Sequence, residues 1–153
     1  MKRLLFFFCL FFSFSALAAE TIEVWKDPNC GCCGAWVDHM KAAGFDVRVN
    51  NVADLDAARR KNGVPQALGA CHTARVGGYA IEGHVPAADI KRLLREKPMG
   101  VAGIAVPGMP AGSPGMEAPA TQPYASVAFS ANGATRLWQS HVPNDHLPKR
   151  GSK

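Results

Sequence analysis

Between Thr21 and Trp25 polar and apolar residues alternate, with Ile22 and Val24 on one face, until Asp27-Pro28-Asn29 breaks the pattern. This predicts a half-buried strand running into a turn. From Gly34 to Ala43 the period changes. Trp36, Val37 and Met40 recur at helical spacing and Gly44 supplies a stop, so a helix begins within or just after residues 30–33. Phe45 to Val49 alternates again, and Asp54 is placed to cap a short helix through Arg60 that ends near Gly63. Cys71 to Val76 and Tyr79 to Glu82 read as strands joined at Gly77-Gly78, a pair suited to a tight hairpin turn. Pro86 opens a last helix with Ile90, Leu93 and Leu94 on its core face. Asp89 lies early in it and Arg95 and Lys97 late, as the helix dipole prefers, and Pro98 ends it.

The order βαβα followed by ββα predicts an α/β domain of the thioredoxin-like sandwich type over residues 20–98, in which the turn into the first helix carries reactive cysteines. Beyond it, residues 99–123 are rich in Gly, Pro, Ala and Met, and 101–123 is read as an irregular loop. Tyr124 to Ser130 and Ala134 to Ser140 flank Asn132-Gly133, a strong hairpin signal, so an accessory β-hairpin over 124–142 is expected to pack on the domain. Residues 143–153 read as a flexible tail.

The start of the chain changes the setting. Lys2 and Arg3 precede an apolar run from Leu4 to Phe14, and Ala16-Leu17-Ala18 follows, the pattern of a cleaved secretory signal peptide over residues 1–19. The run is too short to span a bilayer. Cys9 lies mid-run, far from the small-residue site, which argues against a lipid anchor. The mature protein, about 135 residues, suffices for one domain with a proper core. The signal removes two basic residues and no acid, so the net charge falls from +5 to +3, too small and dispersed to point to nucleic acid. Arg59, Arg60, Lys61, Arg92 and Arg95 read as solvated helix faces.

The chemistry concentrates in Cys30-Gly31-Cys32-Cys33. A disulfide framework spreads cysteines along the chain, whereas three sulfurs in one turn can converge on a soft ion such as Cu(I) or Zn(II). At a helix N-terminus the free amides and the dipole favour thiolate, which both binds metal and attacks disulfides. A redox enzyme needs one attacking and one resolving thiol, and Cys32 beside them invites wrong pairings. Three thiolates can instead surround one Cu(I), and bridging sulfur allows a cluster of several ions. Structural zinc usually takes four ligands at wider spacing, so the compact motif favours copper.

Counting back from the Gly77-Gly78 turn places Gly69-Ala70-Cys71 where thioredoxin-like folds keep a cis-proline beside the cysteine loop. Cys71 is therefore expected to face that loop as a fourth sulfur. His72 shares a site with Cys71 only if the strand starts irregularly, because strand neighbours point to opposite faces. His84, before Pro86, reads either as a ligand at the same sheet edge or as a capping or surface histidine. His39, His141 and His146 read as structural or solvated. Met109 and Met116 lie on a loop with few other side chains, where thioethers either ligate Cu(I) or pack against the core. Met40 and Met99 read as core.

With these residues in place, the chain resembles the CopG-type periplasmic copper-resistance proteins, a thioredoxin-like family formerly known as a domain of unknown function. The resemblance covers nearly the whole mature chain. It rests on Cys30-Gly31-Cys32-Cys33 with Trp36, Cys71-His72-Thr73-Ala74, Tyr79, Glu82-Gly83-His84-Val85-Pro86 and the loop from Pro107-Gly108-Met109-Pro110 to Gly115-Met116. It implies a periplasmic copper-binding protein whose CGCC turn and Cys71 segment hold the metal, and it leaves open sequestration, hand-over to a copper exporter or another copper carrier, and interconversion of copper oxidation states. Two other readings stay open. One is a thiol-disulfide oxidoreductase using Cys30 and Cys33. The other is a small exported domain held by disulfides Cys30–Cys33 and Cys32–Cys71.

Overall fold

The computed structural model describes residues 19–143. The expected signal peptide, up to Ala18, and the tail from residue 144 with His146 lie outside the described residues.

The first half is β1 (Thr21–Lys26), α1 (Gly31–Ala42), β2 (Asp46–Asn51) and α2 (Leu55–Lys61). Asp54 caps α2 by accepting from the Ala57 amide at 2.8 Å. A single 3₁₀ turn, Gln66–Leu68, leads to β3 (His72–Val76) and β4 (Tyr79–Glu82), followed by α3 (Ala87–Glu96). Strands β1 and β2 run parallel, and β3 pairs antiparallel with β1 and with β4. This βαβα-ββα arrangement is the thioredoxin-like sandwich.

The second half departs from expectation in one way. Residues 101–123 are not wholly irregular, because β5 (Gly103–Ala105) runs parallel beside β4. Three residues are too few to show a period. The expected hairpin forms from β6 (Tyr124–Phe129) and β7 (Thr135–His141). Strand β6 pairs with β5, and all strands form one sheet in the order β2-β1-β3-β4-β5-β6-β7.

The main core lies between this sheet and the pair α1 and α3. Ile22, Val24, Ala74, Val76, Ile104 and Ala128 meet Trp36, Val37, Met40, Ile90 and Leu93 there. The opposite face is covered by Val64 and Leu68, which follow α2 and pack with Ala80, Ala105 and Phe129. The hairpin is tied to α3 by a polar pin. Buried Asp89 accepts from Ser126 Oγ at 2.5 Å and from His141 Nε2 at 2.8 Å. The Arg92 guanidinium lies over Trp138, 4.2 Å from the ring centre.

Candidate metal centre

Strand β1 ends at Lys26, and a turn closed by the Cys30 amide on the Asp27 carbonyl, 3.1 Å, carries the chain into α1. Cys30 has an extended backbone at the N-cap, and Cys32 and Cys33 occupy the first helical turn. One turn of helix cannot spread three such side chains far. Cys30 and Cys33 form a disulfide, and Cys32 Sγ lies 3.5 Å from Cys30 Sγ. Cys71 completes the group, 3.8 Å from Cys32 Sγ, while Cys33 Sγ lies 3.3 Å from the Cys71 carbonyl. The four sulfurs all lie within 4.8 Å of one another.

Cys71 arrives there by register. Lys26 is the β1 partner of His72, so the residue before His72 is level with the cysteine turn. A buried ion pair fixes the approach. Glu82, fully buried, accepts from Arg59 Nε at 2.9 Å, the Ala70 amide at 2.8 Å and Thr73 Oγ1 at 2.6 Å. Arg59 also donates to the Ala70 carbonyl, 2.7 Å, and pairs with Asp56. Burial pushes the Glu82 carboxyl up, and the Thr73, Ala70 and Arg59 contacts pull it back. The expectation that Arg59 is solvated therefore fails. It is 6% exposed because Glu82, on the face of β4 that it shares with Ala80, requires a cation.

The irregular strand start that His72 required is present, since β3 begins at His72 and Cys71 precedes it. His72 Nδ1 lies 3.4 Å from Cys71 Sγ, and its Nε2 is buried with no partner among the described residues. Its ring packs against Trp36, centroids 4.4 Å apart, and meets His84 edge-on at 5.0 Å. Trp36 is held in turn by Nε1 donating to the Val85 carbonyl at 2.9 Å. His84 Nε2 is 2.9 Å from Cys71 Sγ. Cys71, His72 and His84 thus form a second group whose ligand atoms lie within 4.8 Å of one another.

The electrostatics suit a soft ion. Burial, then the charge of His84, pushes His72 down to about 3, and burial lowers His84 against the pull of the Pro114 carbonyl and Glu117. Both imidazoles are neutral near pH 7 and offer lone pairs. Burial and neighbouring Cys32 push Cys71 up to about 12, so it stays a thiol until a cation displaces its proton.

The Met loop closes over this group. The Pro114 carbonyl accepts from His84 Nδ1 at 2.8 Å. Gly115 lies so close to α1 that a Cβ there would stand 2.6 Å from the Cys32 carbonyl and 2.8 Å from the Trp36 amide, and its φ of +83° favours glycine in any case. Met116 follows it directly. At the other end, the Gly108 amide faces the Gly69 carbonyl at 3.5 Å, which brings Met109 near the Cys71 segment with its side chain 54% exposed. Met99, expected in the core, is 98% exposed because α3 ends before it and Lys97 turns the chain into the left-handed region. His39 takes a structural contact, facing the Ala87 amide at 3.4 Å.

A thioredoxin-like domain with four sulfurs and two neutral imidazoles gathered at the start of its first helix is a thiol-cluster protein built for soft ligands or redox chemistry. A family model described as a protein of unknown function, DUF411, matches residues 68–116, which carry Cys71, His72, His84 and the Met loop. Two solved structures of copper resistance protein CopG are similar over most of the chain. Form 2 is 40% identical with a TM-score of 0.77, covering 82% of this chain and 100% of that one. Form 1 is 41% identical with a TM-score of 0.76, covering 81% and 98%. No curated protein sequence matches. The chain belongs to the CopG family of copper resistance proteins.

Proposed function

We propose that this protein binds copper as Cu(I) in the periplasm, as part of copper resistance, with Cys30, Cys32, Cys33 and Cys71 as the thiolate ligands. The observation that carries the reading is the convergence of those four sulfurs within 4.8 Å. Thiolate and thioether donors select Cu(I), and neutral imidazole is an acceptable further ligand. His84 and His72 supply imidazole nitrogens beside Cys71. Met109 and Met116, on the loop that closes over the site, are the further thioether ligands in this reading. Sulfurs that can bridge allow more than one ion. Full use of the set requires the Cys30–Cys33 disulfide to be open, which a dithiol donor achieves by exchange, its own two thiols becoming a disulfide. The acceptor of the metal is a periplasmic copper exporter or another copper carrier. Export is supported by the signal-like N-terminus, and among the described residues no helix is long and apolar enough to cross a membrane.

The disulfide between Cys30 and Cys33 also favours a second reading, thiol-disulfide exchange. It is the weaker one, because Cys32 lies 3.5 Å from Cys30 Sγ and competes for it, and because the relatives are copper resistance proteins. Complementation separates the two. In cells lacking the protein, Cys32→Ser and Cys71→Ser should fail to restore copper tolerance, and fractionation should recover the protein from the periplasm. Full tolerance with both substitutions would favour exchange through Cys30 and Cys33.

A further inference from the structure

The inward positions of β1 are Ile22, Val24 and Lys26. The first two are fully buried core residues, and the third is a lysine only 7% exposed. The alternation calls for an apolar side chain there, and a cation at a core position is the kind of conflict between pattern and burial that marks functional sites. Lys26 has no ion-pair partner among the described residues. Among the described residues its Nζ donates only to carbonyls, those of Asp27 at 2.8 Å and Pro28 at 3.4 Å, in the turn that delivers Cys30. The Asp27 carbonyl also receives the Cys30 amide.

Lys26 is the register partner of His72 on the neighbouring strand, so both side chains stand on the same face of the sheet, beside Cys71. An ammonium on a largely buried side chain, held by carbonyls of a partly buried turn, is poised to pair with an anion that forms beside it. The anions that form on this face are thiolates, once metal uptake has displaced the thiol protons. A single Cu(I) on three or more thiolates leaves the complex with net negative charge.

We propose that Lys26 is the resident counter-cation of the thiolate-bound metal, offsetting the negative charge that accumulates on the cysteine cluster. This rests on the copper reading above, and it makes Lys26 a positioning residue that acts on the metal through charge.

The test compares reduced wild-type protein with Lys26→Met and Lys26→Arg. Each is titrated anaerobically with Cu(I) against a competing chelator, and each metal-free form is unfolded in urea. Lys26→Met should bind Cu(I) about tenfold to a hundredfold more weakly, the range for residues that support metal ligands. Its metal-free form should be as stable as wild type or more so, because an unpaired buried charge has gone. Lys26→Arg should bind nearly as wild type does. Wild-type affinity in Lys26→Met would overturn the proposal, as would an arginine variant as weak as the methionine one. So would parallel loss of stability and affinity in Lys26→Met, which would mark a merely structural residue. A wild-type protein that takes up no Cu(I) tightly would contradict the copper reading itself, and the proposal with it.

Discussion

His84 is hydrogen-bonded through Nδ1 to the Pro114 carbonyl at 2.8 Å, and this bond turns its Nε2 onto Cys71 Sγ, 2.9 Å away. A carbonyl can only accept, so the ring proton sits on Nδ1 and, in the neutral ring, the Nε2 lone pair faces the sulfur. The Met loop therefore sets the tautomer of a histidine beside the cysteine cluster, as outer partners do for metal-ligating histidines. Replacing His84 with Ala should weaken Cu(I) binding about tenfold to a hundredfold while leaving the circular dichroism of the metal-free protein unchanged. Chelator competition on the variant checks this, and unaltered affinity would remove His84 from the site.

Gly115 is where the loop touches α1, with room for no side chain and a φ of +83°. Gly115→Ala should lower the melting temperature, at a cost of about 2 kcal/mol or more from backbone strain and overpacking together. It should also reduce copper affinity by lifting Pro114 off His84. Gly108→Ala is the control. Its φ of +70° strains the backbone likewise, but the added Cβ meets open space, so it should cost only about 1 kcal/mol.

The Arg59–Glu82 pair holds Ala70, and hence Cys71, from inside the fold. Arg59→Met leaves a buried carboxylate uncompensated and should cost about 3–5 kcal/mol in urea unfolding. Arg59→Met with Glu82→Gln should recover most of that, since Gln removes the charge, its Oε1 can still accept from the Ala70 amide, and its Nε2 can donate to Thr73 Oγ1, which then accepts. An additive double variant would show that the pair is not coupled.

His72 gives the metal-free protein a pH dependence of known sign. Its imidazole protonates near pH 6.5 in the unfolded chain and only at about 3 in the fold. Between those values the unfolded state binds more protons, so the stability His72 contributes is present above pH 6.5 and is lost as pH falls towards 3. Urea unfolding of the reduced protein at intervals from pH 7 to pH 4 should show that decline, and His72→Asn should flatten it.

The alternation around Ile22 and Val24, the Gly77-Gly78 turn and the Asn132-Gly133 turn each announce themselves, because periodicity and turn chemistry are local properties. The gathering of Cys71 with the CGCC turn was legible too, since counting back from a hairpin fixes the register. What escaped were relationships with no local signature. Arg59 lies among exposed Arg60 and Lys61, and only the distant Glu82 explains its burial. Lys26 sits at the end of an alternating strand, where a lysine also suits a solvated strand end. Strand β5 is too short for a pattern and exists because β4 and β6 flank it. Met99 is apolar yet projects beyond a helix end, a position that hydropathy does not reveal. Pro114 contributes a backbone carbonyl, which any residue could supply.

The most direct measurement is an anaerobic titration of reduced protein with Cu(I) against a competing chelator, counting copper per chain in wild type and in Cys32→Ser. Cys32 is the sulfur between Cys30, at 3.5 Å, and Cys71, at 3.8 Å. Tight binding of one or more copper ions that collapses without Cys32 is the predicted result. Binding no stronger than that of an ordinary dithiol, and unchanged in Cys32→Ser, would contradict the account.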